Sequence, residues 1–328
     1  MLSFHSPSAK AEIPVTHDTS AIPPEVNWID AVRPDAQEIA FLERALGIEV
    51  PTLAALSEIE TSSRLRTEGD WLYLSIPMIY RTEGFMPALT PLGFILSKNL
   101  LLTVRFKPMK VFDDCKSNLS KHPLQAGGPG ALATILEVIV DHAADLLENN
   151  ASDLDCLSEE VFGTHHIKTQ RHRPLEDGDR LRSVMHKIGR NGDLISKIED
   201  VLLGIARMLP YIAANAAPYL EADIGTKLKS LQSDVTSLND YETHLTDKIQ
   251  FLLDATLGLT NIEQNNIFRI LTVVSVVGIP PTFFASMWGM NFKNIHEYDW
   301  AYGYEFGLSV IAISAIIPIL WFKWRGWW

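Results

Sequence analysis

The fold of this chain is decided by one stretch, IFRILTVVSVVGIPPTFFASM, at residues 267–287. Its only charged residue is Arg269 at the beginning, where a long side chain can reach a membrane interface. A helix of about 20 apolar residues is long enough to cross a bilayer. Pro280 and Pro281 lie inside the stretch, but spanning helices tolerate proline, so they indicate a kink. We predict a first membrane span over residues 267–287.

A second apolar run, FGLSVIAISAIIPILWF, occupies residues 306–322 and contains no charge. Extended back to Gly303, it predicts a second span over residues 303–322, with residues 288–302 as the loop between the spans. The tail after the second run carries Lys323 and Arg325 among tryptophans, whereas acidic residues dominate the connection between the runs. The positive-inside rule then places both termini in the cytoplasm, with the loop on the periplasmic side. The alternative for either run is a buried core helix.

Upstream of the first span, apolar residues recur in steps of three and four from Ile224 to Leu252, a period typical of coiled coils. No proline interrupts the chain between Tyr219 and Ile279. We therefore predict a stalk helix over residues 215–266 that continues without a break into the first span. The alternative is an ordinary amphipathic helix packed within its own domain.

The remaining chain predicts two further cytoplasmic parts. Residues 129–214 have the pattern of a helical hairpin, and residues 1–128 have the mixed pattern of an α/β domain. The boundary falls in the turn-forming stretch Gly127–Gly130, which lacks the Lys-Ser/Thr of a phosphate-binding loop. The hairpin helices are expected at residues 131–162 and 177–212, and two short helices at 34–46 and 51–57. Strands are expected within 25–32, 70–80 and 89–106, the last interrupted by a turn signal at Lys98-Asn99.

Small polar residues follow one face of the first span and of the helix leading into it. At 100° per residue they fall within an arc of about 100°. Such a face either packs on another helix or lines a water-filled path, and the spacing alone leaves both open. A path would need several subunits around one axis. The residues are Asn265, Thr272, Ser275, Thr282 and Ser286, with the apolar Ile279 in the same arc.

Directly after the first span come Trp288 and the triplet Gly289-Met290-Asn291. With the run Pro281-Thr282-Phe283 and the pair Gly303-Tyr304, this part of the chain resembles the CorA family of divalent-metal channels, whose signature is Gly-Met-Asn after the first of two C-terminal spans. The resemblance is clear over the last quarter of the chain. Further upstream, only the architecture agrees.

The resemblance implies an α+β membrane protein that assembles as a homopentameric funnel, with the first span lining the pore. Gly289, Met290 and Asn291 would form the ion mouth, where neutral amides and carbonyls bind hydrated Mg²⁺ without removing its waters. Glu297 in the outer loop would attract cations, and Leu271 and Ile279 would be apolar constrictions. The resemblance places Asn265, Phe268, Leu271, Ile279, Thr282 and Ser286 along the pore, to which the polar face adds Thr272 and Ser275.

We therefore expect a channel of the bacterial inner membrane that passes Mg²⁺, and Co²⁺ or Ni²⁺, into the cytoplasm. Its partners would be these cations, membrane lipid and other copies of itself, with Mg²⁺ also acting as a regulator and no organic cofactor. The family's regulatory stalk carboxylate falls at Ser230, so Asp223 and Asp234 are the candidate substitutes.

Two alternatives stay open at this point. A zinc transporter of the ZntB kind shares the architecture, although Met290 favours magnesium, and a membrane-anchored scaffold or sensor would not need Asn291 or the polar face. The sequence contains no nucleotide-binding loop and no nucleophile motif, so it does not predict an enzyme. The net charge of −12 disfavours nucleic acid as a partner. That excess lies before residue 267, because the later residues carry four basic and three acidic side chains.

Overall fold

A computed structural model describes residues 1–6, 21–58, 60–82, 87–119, 127–163, 174–291 and 299–327. These residues form two compact units, Met1–Glu160 with His186–Phe251 and Val161–Met185 with Leu252–Trp328. The described strands are β1 (Leu2–His5), β2 (Trp28–Val32), β3 (Leu65–Glu68), β4 (Trp71–Arg81), β5 (Pro87–Leu96) and β6 (Leu101–Arg105). The described helices are α1 (Ala36–Leu46), α2 (Leu53–Leu56), α3 (Thr61–Arg64), α4 (Lys110–Leu119), α5 (Gly127–Phe162), α6 (Pro174–Asn215), α7 (Ala222–Trp288) and α8 (Gly303–Trp324).

The first unit is built on a sheet in the order β1-β2-β6-β5-β4-β3. The β2–β6 pair is parallel, with Asp30 opposite Thr103, and the other pairs are antiparallel. One face packs on Leu42 of α1 and Leu56 of α2. The other face meets α6 where Gly204 lies against Ile76, close enough that an added Cβ would be 3.2 Å from the Ile76 side chain. Helices therefore cover both faces, as expected for an α/β domain.

A charged network is buried on this second face. Arg105 donates two hydrogen bonds to Asp30, Nε to Oδ1 at 3.1 Å and Nη2 to Oδ2 at 2.8 Å. Thr103 donates to the same Oδ1 at 3.0 Å, and Trp28 donates to the Thr103 hydroxyl at 3.1 Å. The Asp30 and Arg105 side chains are 0% and 5% exposed. A charge so far from water is tolerated only when it is paired and hydrogen-bonded.

Helices α5 and α6 form the predicted hairpin. In the first unit, the Asn150 side chain donates to the Asn191 carbonyl at 3.3 Å, and Lys187 pairs with Glu160 at 2.8 Å. Helix α5 begins at Gly127, four residues before the predicted start. Its first turn lies against the β5–β6 connection, where a Cβ at Gly128 would collide with the carbonyl oxygens of Ser97 and Leu100. The glycines thus permit a close approach of helix to sheet.

The stalk and the first span form one continuous helix, α7, of 67 residues, which passes through Pro280 and Pro281 as predicted. The apolar stalk positions Ile224, Leu228, Leu231, Val235 and Leu245 are buried within the single subunit. Lys227 of α7 pairs with Glu137 of α5 at 2.5 Å, and Lys248 pairs with Asp155 at 2.5 Å. The apolar residues of the three-and-four period therefore pack inside the chain, and the amphipathic-helix alternative is correct for these positions. The period by itself does not indicate that the chain oligomerises.

Four elements were not predicted: β1, β3, α3 and α4. Strand β1 pairs antiparallel with β2, and its four residues are buried although it precedes a polar segment rich in Pro, Ser and Thr. Elements of this length carry too few residues for a hydrophobic period to show. The stretch 89–106 forms two strands, β5 and β6, joined through residues 97–100, in agreement with the turn predicted at Lys98-Asn99.

Candidate functional site

The C-terminal part of α7 and α8 are the described helices long and apolar enough to cross a membrane. In the most apolar 18-residue window of α7 no residue is buried, and in that of α8 only 6% are buried. A core helix of a soluble protein would show the opposite pattern, so the buried-core alternative fails. Apolar helices that the rest of the chain leaves uncovered require lipid or further subunits around them.

The predicted pore face of α7 is open in the single subunit. Phe268, Leu271 and Ile279 are 55%, 60% and 65% exposed. Ser275 is half-buried, and the other polar members of the face are exposed: Asn265, Thr272, Thr282 and Ser286. The described part of the subunit therefore leaves this face free to meet water or the same face of other copies.

The threonine hydroxyls on this face are already hydrogen-bonded within the helix. Thr272 donates to the Phe268 carbonyl at 2.7 Å, and Thr282 donates to the Gly278 carbonyl. A hydroxyl has one proton and two lone pairs, so each oxygen can still accept hydrogen bonds. The waters around a hydrated cation point their protons outward, and these oxygens can accept them without any negative charge on the helix.

The signature triplet lies at the end of the first span. Helix α7 ends at Trp288, the Gly289 amide donates to the Ala285 carbonyl at 3.0 Å, and the Met290 amide approaches the Met287 carbonyl at 3.4 Å. Asn291 follows in irregular, exposed chain. Asn291 thus follows the C-terminal end of the polar face. Glu297 lies outside the described residues.

An aromatic cluster that sequence reasoning missed joins the C-terminal end of α7 to the N-terminal end of α8. Trp288 stacks on Phe284 with ring centroids 6.0 Å apart and meets Phe306 of α8 edge-on at 6.3 Å. Trp300 meets the same Phe306 at 5.5 Å. The available signal was the i, i+4 spacing of Phe284 and Trp288, which puts both rings on one side of α7. The cluster holds the residue immediately before the triplet.

The two candidate regulatory carboxylates do not form one site within a subunit. Asp223 and Asp234 share a face of α7 but are eleven residues, or about 16 Å, apart along it. Asp234 instead lies near Asp141 of α5, whose pKa is raised by burial and by the nearby charges of Glu137, Asp145 and Asp234, against a smaller lowering by Lys227. Within the described ranges, no group of three or more His, Cys, Asp or Glu is arranged to hold a metal ion.

Comparison with known families decides the relationship. The model of the family described as CorA-like Mg²⁺ transporter protein matches residues 24–324.

The chain belongs to this family. A curated relative of the CorA family, the magnesium transport protein CorA of Wolinella succinogenes, is 30% identical over 327 residues, which cover 97% of this chain and 94% of that one.

Solved structures share the fold. The complete CorA magnesium transporter from Methanocaldococcus jannaschii superposes with a TM-score of 0.73 at 20% identity, covering 100% of this chain and 98% of that one. The α/β domain, the long helix and the two C-terminal apolar helices are thus confirmed as a CorA fold. The ZntB cytoplasmic domain from Vibrio parahaemolyticus is more distant, with a TM-score of 0.50 at 14% identity over 80% of this chain and 96% of that domain.

Proposed function

We propose that this chain is one subunit of a channel that passes hydrated Mg²⁺ across the bacterial inner membrane into the cytoplasm. The observation that carries the proposal is the uncharged, exposed face of α7, which runs from Asn265 to Ser286 and ends at the signature triplet. Membership of a family described as Mg²⁺ transporters supports the choice of ion. Co²⁺ and Ni²⁺, which also carry firmly held waters, are the expected secondary substrates.

A path for ions needs more than one subunit, because a pair of helices encloses no space. The exposure of Phe268, Leu271 and Ile279 supports assembly with these faces toward a common axis. We propose five copies, by resemblance to the family. Membrane lipid then covers the outer surface, which includes the exposed side of α8, and both termini lie in the cytoplasm.

The chemistry of this path suits an ion that keeps its water shell. Mg²⁺ dehydrates reluctantly, so amide and hydroxyl oxygens that accept from its waters select it better than direct ligands do. Asn291 and the Gly289 carbonyl would form the outer ring, with Met290 between them, and Thr282 and Ser286 would follow. Leu271 and Ile279 would close the path by excluding water when they approach the axis.

Regulation by cytoplasmic Mg²⁺ is proposed on the acidic face that α5 and α7 share. The pKa of Asp141 is raised mainly by desolvation, and repulsion by Glu137, Asp145 and Asp234 adds to it. A divalent cation held near this face through its own waters would relieve that repulsion, because the carboxylates of the described residues are not arranged to ligate a metal directly. Asp223, three turns away on α7, would act only with a group from another subunit.

Mg²⁺ flux into proteoliposomes of the purified protein tests the proposal, with Asn291→Ala as the variant. Asn149→Ala is the matched control, because that exposed side chain lies on α5 and, among the described residues, donates to the carbonyl of Asp145 on the same helix. We expect uptake by wild type and by the control, with loss in Asn291→Ala, and slower entry of Zn²⁺ than of Mg²⁺. If no divalent cation enters although the protein is folded and oligomeric, the membrane-anchored scaffold replaces the channel.

A further inference from the structure

The C-terminal tail of α8 ends in a defined turn. Helix α8 stops at Trp324, and Gly326 adopts a left-handed conformation with φ of +69°. The Gly326 amide donates to the Lys323 carbonyl at 3.2 Å, and the Trp327 amide donates to the Phe322 carbonyl at 3.0 Å. These two bonds and the left-handed glycine define a Schellman motif, in which the residue after the glycine folds back onto the helix.

The turn brings Trp327 onto Phe322. Their rings stack with centroids 5.5 Å apart, and the Phe322 side chain is only 2% exposed. A Schellman motif commonly carries an apolar contact between these two positions, so the conformation of Gly326 and the packing of Trp327 support each other. The tail is thus a small folded element and has one place for the Trp327 ring.

The same ring meets the single charge of the first span. The Arg269 guanidinium carbon lies 5.7 Å from the centroid of the Trp327 ring, within the range of a cation–π contact. Arg269 follows Phe268 directly and lies one turn after Asn265, both of which are on the proposed ion path. On the helical wheel, Arg269 is rotated about 90° from the centre of that face.

We propose that Trp327 is a positioning residue that keeps the Arg269 guanidinium to the side of the ion path at its cytoplasmic end. This inference rests on the proposed function. An arginine side chain is long enough to swing from the flank of a helix toward a narrow path, and every subunit would contribute one. Positive charges there would repel a divalent cation over about 8 Å at physiological salt. The fold of the tail therefore sets the electrostatics of the inner mouth.

The main test compares Mg²⁺ flux for Trp327→Leu and Trp324→Leu in proteoliposomes. Trp324 is the matched control, because it lies on the same tail but is 83% exposed. Loss of an exposed cation–π contact changes a population about two- to five-fold, so we expect Trp327→Leu to reduce flux by that factor and the control to leave it unchanged. High salt should shrink the difference, because it screens the guanidinium.

A second set of variants separates positioning from a general effect of the tail. Combining Arg269→Gln with Trp327→Leu should restore the flux that Trp327→Leu alone loses. Trp327→Phe should retain most of the wild-type flux. Gly326→Val changes neither partner but opposes the left-handed turn, so it should reduce flux as Trp327→Leu does. Equal flux for Trp327→Leu and Trp324→Leu would overturn the proposal, as would a double variant that stays as slow as Trp327→Leu alone.

Thermal unfolding of the full chain in detergent makes the contact testable apart from transport. We expect the melting-temperature losses of Arg269→Gln and Trp327→Leu to be less than additive, because each substitution removes the same contact. Additive losses would refute the contact. If wild type passes no Mg²⁺, the proposed function fails. The non-additivity of the two melting-temperature losses would still decide whether Trp327 contacts Arg269.

Discussion

The indole of Trp288 lies directly over Gly307: a Cβ added to this glycine would be 3.6 Å from the six-membered ring. One residue lies at the end of the first span and the other in the first turn and a half of α8, so the contact brings the two spans together beside the signature triplet. Phe306, the neighbour of Gly307, meets the same indole edge-on. The position of the triplet thus depends on a small residue in the other span.

Enlarging Gly307 should disturb the proposed ion mouth at Gly289–Asn291. Alanine would make an ordinary contact at this distance, so Gly307→Ala should keep its flux, whereas Gly307→Leu must push the indole away and should lower Mg²⁺ flux or weaken discrimination against Zn²⁺. The measurement is uptake of both ions into proteoliposomes. Gly189→Leu on α6 is the control, because no atom of the described residues lies within 4 Å of a Cβ at that glycine. Unchanged uptake in Gly307→Leu would show that the aromatic cluster does not influence the proposed ion mouth.

We expect the Thr282 hydroxyl to support Mg²⁺ flux through its oxygen, which can accept hydrogen bonds. Thr282→Val keeps the shape but removes the acceptor, and losing one hydrogen bond of ordinary strength predicts a flux reduction of about two- to ten-fold. Thr243→Val is a close control, since Thr243 also lies on α7 and donates to a carbonyl four residues earlier, Asn239, at 3.0 Å. Equal rates for the two variants would mean that the polar face serves helix packing instead.

Breaking the buried ion pair should destabilise the α/β domain strongly. Arg105→Met leaves the Asp30 carboxylate buried without its partner, which predicts a loss of about 3–5 kcal/mol in the free energy of unfolding. Lys187→Met removes an exposed pair with Glu160 and should cost at most about 1 kcal/mol. Chemical denaturation of the full chain in detergent measures both. A loss below about 1 kcal/mol for Arg105→Met would show that the buried carboxylate finds another partner.

The raised pKa of Asp141 predicts a pH-dependent stability. The native state binds this proton more tightly than the unfolded chain does, so the unfavourable contribution of the carboxylate is absent below its ordinary pKa of about 3.9 and grows as pH rises through the raised value. Asp141→Asn should therefore raise the melting temperature at neutral pH, and the gain should fade on acidification.

The size of that gain should be small, because the Asp141 side chain is only partly desolvated and still lies at the surface, where water screens its neighbours. We expect a few tenths of a kcal/mol, measured by thermal unfolding at several pH values. Asp200→Asn, on the exposed surface of α6, is the control. A gain that persists unchanged in acid would contradict the assignment, since the protonated carboxyl carries no charge to remove.

Much of the helical architecture was predictable because its signals are long. The apolar stretch at 267–287 and the proline-free interval before it predicted the single helix α7, and the second run predicted α8. The strand β1 and the helices α3 and α4 were not predicted, because four to ten residues give little periodicity. The stalk shows a different limit. Its apolar period predicted the helix, but a period does not indicate whether the apolar residues pack within the chain or against another copy.

The sequence by itself determined that two apolar stretches, with Arg269 as their single charge, must leave water, and that a polar face and Gly-Met-Asn meet at the end of the first one. These properties depend only on residue type and on spacing along one helix. Only the tertiary structure decided what lies beside them. The contacts of Trp288 with Gly307 and of Trp327 with Arg269 join residues 19 and 58 positions apart, and such distances close only when the two spans pack and the tail turns at Gly326.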